Sequence, residues 1–412
     1  MEEADVIVVG AGLAGLSATI HLQAAGLHVV LLEQSDEVGG RVRTDEVDGF
    51  LLDRGFQVLL PAYPELRRLL DLDRLDLRSF ATGVLAQGPD QRWDLGLPGR
   101  QAGGLRSAIR FAAGRPLDAL GVGAFSLRDV LGPAGRLRQA PTTSTKRELA
   151  RWRISDRTVE EIFRPFLAGV FLDPELDTSS RMFHLVWRCF LRGGAAVPAN
   201  GMRQLPRELA GLVADGALRP ATSVQSVSKG GVKTADGTVA ARAVVIATDG
   251  TAASSLLPHI VEPSWRSVTT WYFAAPESPL ARPVLLLDGA SGLLLNTVVM
   301  SDVAPSYAPA GRSLISASVP DCEHTADDVR RRLEQLYETS TSDWELIAEY
   351  RIPHALPRMS SDHLFTTPAK VGPGLYLCGD YRDTSSIQGA LVSGRRVAQT
   401  VARDLRRGER DG

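Results

Sequence analysis

Lysine is nearly absent from this 412-residue chain: only Lys146, Lys229, Lys233 and Lys370 stand among its 46 basic residues. Alanine, glycine and leucine are abundant beside it, so the bias reads as genomic composition rather than function. Cysteine is as scarce. Cys189, Cys322 and Cys378 form no C-x-x-C pair and no metal-like cluster, so no metal is expected and a reducing compartment fits best. No apolar run approaches the roughly eighteen residues of a membrane span. The first strand opens at Asp5, leaving no room for a signal peptide. These absences predict a cytoplasmic protein that touches a membrane at its surface if at all. A net charge of −2 gives no basic excess for nucleic acid. With 44% hydrophobic and 23% charged residues the chain is ordinary for a folded protein, and its length predicts a large core and two domains.

Glycine, by contrast, is clustered. Asp5–Val9 is a β-branched apolar run, as expected of a strand buried on both faces of a parallel sheet. It leads into Gly10-Ala-Gly12-Leu13-Ala14-Gly15, then a helix that Gly26 ends. Leu27–Leu32 reads as the second strand, with Glu33 and Gln34 at its end. Gly10 allows a tight turn, Gly12 lets the backbone approach a pyrophosphate, and Gly15 lets helix and strand pack closely. The helix start, at Leu13 and Ala14, faces the phosphates, while Glu33 accepts from ribose hydroxyls. Gly39-Gly40-Arg41 follows, a guanidinium free to fork onto a diphosphate with no Cβ in the way.

The stretch from Gly10 to Thr44 resembles the N-terminal signature of the flavin-containing amine oxidase superfamily, which includes monoamine oxidases, protoporphyrinogen oxidases and phytoene-desaturase-type enzymes. The resemblance implies that the dinucleotide is FAD. It extends over essentially the whole chain. Asp53-Arg-Gly55-Phe56-Gln57 is similar to the stretch that runs along the isoalloxazine ring. Val224 matches a valine whose backbone meets the adenine, and Ala243–Asp249 matches the family's V-V-x-A-T strand. Gly379-Asp380 and the helix start Ser386-Ile387-Gln388-Gly389-Ala390 resemble the second FAD signature. There Asp380 accepts from the ribityl or diphosphate end, and the helix start faces the pyrimidine edge of the flavin. Cys378 precedes that turn, away from the ring, so the FAD is expected to be non-covalent. No second dinucleotide fingerprint is present for NAD(P)H. Electrons therefore come from the substrate and pass to oxygen or a quinone.

The implied fold is α/β: a Rossmann-type FAD-binding domain in three discontinuous segments, with an α+β substrate-binding domain, in an amine-oxidase-like two-domain architecture. Residues 1–94, 198–262 and 358–412 are assigned to FAD, and 95–197 and 263–357 to substrate. The second part begins with an arginine-rich region in which residues 104–115 read as a basic amphipathic helix, solvated or lying on a membrane surface. The aromatic helices around Phe163, Phe166, Phe171, Phe183 and Trp187 read as core, or as a tunnel lining. Strands Val268–Phe273, Val284–Leu287, Leu293–Met300 and Arg312–Val319 are expected to form an antiparallel floor. Tyr350–Pro357 resembles a segment that approaches the flavin.

Catalytic candidates are His354, Tyr350 and Gln57, each with a structural alternative. The leading reading is an oxidase or desaturase that takes hydride from a C–H bond of a small apolar substrate to flavin N5. Trp271, Phe56 and Leu356 are placed beside the flavin in it. An amine oxidase is the alternative. Those enzymes commonly carry a lysine near the segment equivalent to Val268–Phe273, which here has none. The remaining reading is a flavin-binding protein without redox catalysis.

Overall fold

The structure, a computed structural model, describes residues 3–96, 109–320 and 324–411. Arg106, Cys322 and the first part of the expected basic helix lie outside them; residues 109–114 are helical. Val6–Val9 of β1 (Glu3–Val9) are buried on both faces, as a continuous β-branched run requires. The strand pairs in parallel with β2 (Val29–Leu32) and β12 (Gly237–Ile246). The sheet continues through β9 (Leu218–Arg219), which is parallel to β2, and through β10 (Val224–Ser228) and β11 (Gly231–Thr234), an antiparallel hairpin on the first half of β12. On the second half of β12 lies β19 (Leu375–Leu377), parallel, with β18 (Lys370–Gly372) beside it. One sheet thus collects strands from the beginning, middle and end of the chain. Residues 218–227 do not form one continuous strand. Pro220 lacks the N–H a ladder needs, and Ala221 turns at φ 53° to donate to the Ser35 carbonyl, so two strands form instead.

The second sheet has the order β17-β13-β16-β15-β14-β6-β7. Its members are β6 (Gly83–Gln87), β7 (Arg92–Gly96), β13 (Trp265–Ala275), β14 (Leu285–Asp288), β15 (Asn296–Val299), β16 (Ser313–Val319) and β17 (Glu345–Pro357). It is antiparallel except where β6 runs parallel to β14, Leu285 opposite Val84. Through that pairing residues 83–87 and 92–96 join this sheet and not the parallel one. The helix Ala326–Tyr337 covers one face, started by a reciprocal Thr325–Asp328 capping box. Trp271 packs on that covered face with Val329, Leu333 and Leu336. Two short ribbons complete the strands: β3 (Thr44–Val47) with β4 (Phe50–Asp53), and β5 (Leu77–Ser79) with β8 (Ala196–Pro198).

The helical region between the sheets is held by rings. Phe125 is fully buried, with Phe183 5.6 Å and Trp187 5.7 Å from it, and Phe163 and Phe166 reach Trp187. These aromatics are core, as their helical spacing suggested. His184 is buried among them, its Nδ1 2.6 Å from Asp129 and its Nε2 3.2 Å from Glu148. The hydrogen bond with His184 outweighs burial and holds the Glu148 carboxyl at about 2. A depressed folded-state value means stability that is present above the ordinary 4.5 and lost as pH falls toward 2. Glu148→Gln should therefore lower stability at neutral pH and flatten its decline across that acid window. Parallel unfolding midpoints for variant and parent from pH 4.5 to 2 would contradict the assignment.

Candidate functional site at the meeting of both chain ends

At the end of β1, Gly10 turns with φ 101°, and a Cβ there would lie 3.2 Å from the Ala247 carbonyl. A Cβ on Gly15 would fall 1.8 Å from the Gly10 carbonyl oxygen, so the helix Leu13–Ala24 lies directly against the turn. Gly12 differs from both. Its φ is −71° and a Cβ would meet nothing within 4 Å. Leu13, Ala14 and Gly15 are buried, yet no side chain caps this helix. A buried helix N-terminus with free N–H groups facing open space is built to receive an anion.

The surroundings converge there. The Gly39 N–H donates to the Ala11 carbonyl, which brings Gly39 and Gly40 against Gly12. Glu33 is buried and accepts from the Ala11 N–H at 2.7 Å and the Ser35 N–H at 2.9 Å. Its carboxylate retains lone pairs for further donors. Gln34 is exposed beside it. The Glu33 and Ser35 carbonyls accept from Thr222 and Ala221, which leads the chain to Val224 at the start of β10.

Arg41 links the first motif to the last. Its Nη2 is 2.6 Å from Asp380, its Nη1 donates to the Ala355 carbonyl at 2.9 Å, and its guanidinium sits over the Trp265 ring. The C-terminal helix, Ile387–Asp411, crosses the first helix at Gly394, where a Cβ would lie 2.3 Å from the Ala14 carbonyl. Ser17 donates to the Leu391 carbonyl at the same crossing. At its start the Ser386 hydroxyl accepts from the Gly389 N–H, and Ala390 donates to the Ser386 carbonyl. Gln388 turns its side chain elsewhere, accepting from the Glu65 N–H at 3.0 Å.

Gly55, at φ 86°, leads the chain past β13 and β17: a Cβ there would lie 2.7 Å from Ile352. The Phe56 N–H donates to the Thr270 hydroxyl, and Phe56 packs edge-on against Phe80. Ile352, Val268, Leu295, Ala168, Leu172 and Ala355 form a separate small apolar cluster on this side. Gln57 braces the loop by donating to the Arg41 and Arg54 carbonyls. Tyr350 donates to Asp45, which Arg54 also grips, and burial together with Asp45 pushes its phenol well above the ordinary value. His354 is exposed on the sheet edge and stacked on Trp265 at 5.0 Å.

Asp53 has the largest structural role that the motif reading missed. Its fully buried carboxylate accepts from Thr44 at 2.5 Å, the Met202 N–H at 2.9 Å and Tyr307 at 2.9 Å, while Tyr272 donates to its carbonyl. It ties the β3–β4 ribbon and β13 to the turn that opens the helix Gln204–Ala210. Burial outweighs these donors and raises its carboxyl to about 6.

Three comparisons bear on this geometry. The family model described as flavin containing amine oxidoreductase matches residues 13–402. Putrescine oxidase of Kocuria rosea is 51% identical over 69 residues, 17% of this chain and 14% of that protein. Chloroplastic protoporphyrinogen oxidase 1 of Arabidopsis thaliana is 27% identical over 209 residues, 47% of this chain and 35% of that protein. The matches thus span well under half the length of either relative. Among solved structures, an oxidoreductase from Methanosarcina mazei superposes with a TM-score of 0.74 at 17% identity, covering 97% of this chain and 100% of that one, and so shows a shared fold.

Proposed function

This chain belongs to the flavin containing amine oxidoreductase family, and from that premise we propose that it binds FAD non-covalently and takes hydride from a C–H bond of a small apolar molecule. Membership implies a flavin. The open space over Gly12, the uncapped first turn and the Arg41–Asp380 pair fit a dinucleotide diphosphate. Gly12 and Leu13 would offer their backbone to it, Arg41 its charge, and Glu33 a ribose acceptor. FAD held there supplies the two-electron acceptor, and oxygen or a quinone then takes the electrons. Non-covalent binding is supported by Cys378: its thiol is buried and pushed up to about 12, which leaves it a poor nucleophile.

Arg41 is central to this reading. Arg41→Glu should weaken FAD binding at least about tenfold, and Arg110→Glu, at an exposed position, should leave it unchanged, because a desolvated guanidinium–diphosphate pair outweighs a solvated charge. FAD titrations of the two apoproteins compare them directly. Equal affinities would remove Arg41 from the site.

The observation that carries the substrate class is what stands beside Gly55. Thr270 meets Phe56 there, no lysine lies on β13, and Val268, Ile352 and Leu295 pack alongside. Side chains of this kind orient an apolar molecule and exclude water rather than titrate. The putrescine oxidase relative keeps an amine substrate as the second reading. Anaerobic mixing separates the two: a hydrophobic polyene or porphyrinogen should bleach the flavin and benzylamine or a polyamine should not. Bleaching by the amines restores the amine oxidase, and a flavin that no compound bleaches supports binding without redox chemistry. In the same assay His354→Ala should slow reduction less than about tenfold, since the ring is exposed and stacked on Trp265 rather than buried as a general base.

A further inference from the structure

The helix Pro116–Leu131 has a second face that stays exposed among the described residues. Asp118, Gly121, Phe125 and Asp129 are buried against the aromatic core. Turned outward are Leu117, Leu120, Leu127 and Leu131, between 61% and 74% exposed, with Ala124 exposed between them. Their spacing puts the four leucines in one row, and Ile109, in the preceding helical segment, is 59% exposed. These five are more than half of the large apolar side chains exposed among the described residues.

Within residues 109–148 the exposed charges have one sign. From residue 109 to 148 the acids are Asp118, Asp129 and Glu148, and all three are buried. Asp118 is held by Ser155 and Thr158, while Asp129 and Glu148 face His184. The exposed charges over the same span are Arg110, Arg128, Arg136, Lys146 and Arg147, with Arg128 bonded back to Asp129. The whole chain carries only −2, so this basic surface is local.

We propose that this face docks on an anionic lipid bilayer, with the leucines entering the boundary between headgroups and acyl chains and the basic side chains meeting lipid phosphates. A leucine row in a stretch whose exposed charges are all basic is the form of a helix that lies in a membrane interface. A second copy of the chain fits worse, since two-fold pairing along this row would bring together two stretches whose exposed charges are all basic. Attachment is peripheral: among the described residues no helix is long and apolar enough to cross a membrane.

Flotation of the full-length purified protein tests this with vesicles of phosphatidylcholine, and of phosphatidylcholine with phosphatidylglycerol in equal parts. Anionic vesicles should carry at least about tenfold more protein than neutral ones, and added salt should release it. The double variant Leu120→Asp, Leu127→Asp should lose at least about tenfold of that binding while keeping the parent's flavin content and circular dichroism. Absence of the wild type from floated anionic vesicles, or equal flotation of the variant, would overturn the proposal. So would a wild-type dimer in sedimentation that the double variant converts to monomer, because that result assigns the face to a second copy.

Discussion

A valine in place of Gly12 should yield a folded protein without flavin. Gly12 is not in a conformation reserved for glycine, and a side chain there meets no protein atom within 4 Å. The space it would enter is the approach to the uncapped amides of the first helix. Loss of two charge-assisted hydrogen bonds to a diphosphate costs about 3–6 kcal/mol, so affinity should fall by at least about 100-fold. Gly15→Val is the contrasting case. Its Cβ would sit 1.8 Å from the Gly10 carbonyl, so helix and strand must part and the protein should be destabilised outright. FAD titration and thermal unfolding of the two apoproteins separate these outcomes. A Gly12→Val protein with parental FAD affinity would show that the space over Gly12 is not the diphosphate site.

Asp53→Ala should be the most damaging change outside the glycine turn. It strands the Met202 N–H and the Thr44 and Tyr307 hydroxyls in the interior. At roughly 1–3 kcal/mol for each unsatisfied group, partly relieved by relaxation, the loss should be about 3–5 kcal/mol. Asp53→Asn keeps an acceptor and should cost much less. It should also alter the pH dependence. With a folded value near 6 and an ordinary value of 3.8, the folded protein binds the extra proton between those limits, so this group's contribution rises as pH falls from 6 to 4. The full swing is about 3 kcal/mol. Urea unfolding of the parent and Asp53→Asn at pH 7, 5 and 4 should show the rise in the parent alone. Equal slopes in both proteins would mean that Asp53 does not titrate in that range.

The turn from Gly10 to Gly15 was legible because its requirements are local. A strand, Gly10, Gly12, Gly15, a second strand and Glu33 lie within 33 consecutive residues, and Gly10 and Gly15 answer to backbone constraints that the pattern names. The rest of the site depends on contacts between distant parts of the chain. Gly394 matters because Ala14 crosses it; its only trace in the sequence is a glycine inside a helical pattern. Asp53 was visible as part of a motif, but its donors come from positions 44, 202 and 307. Trp265 carries no motif, yet it lies between Arg41 and His354.

The strand Val268–Phe273 shows the limit of periodicity. Alternation separates Val268, Thr270 and Tyr272 from Thr269, Trp271 and Phe273, but all six are buried. Hydropathy therefore could not say which set faces Gly55 and which faces the helix Ala326–Tyr337. The pairing of β6 with β14 was hidden for a similar reason, since Val84 and Leu285 are 201 positions apart and nothing local marks them as neighbours.

The central claim is that the two ends of the chain build one non-covalent FAD site. Acid precipitation of the purified protein, followed by chromatography of the supernatant, tests it most directly. The account predicts intact FAD in the supernatant, equimolar with the chain, and a colourless pellet. Flavin that stays with the pellet, FMN in place of FAD, or a supernatant without flavin would contradict it.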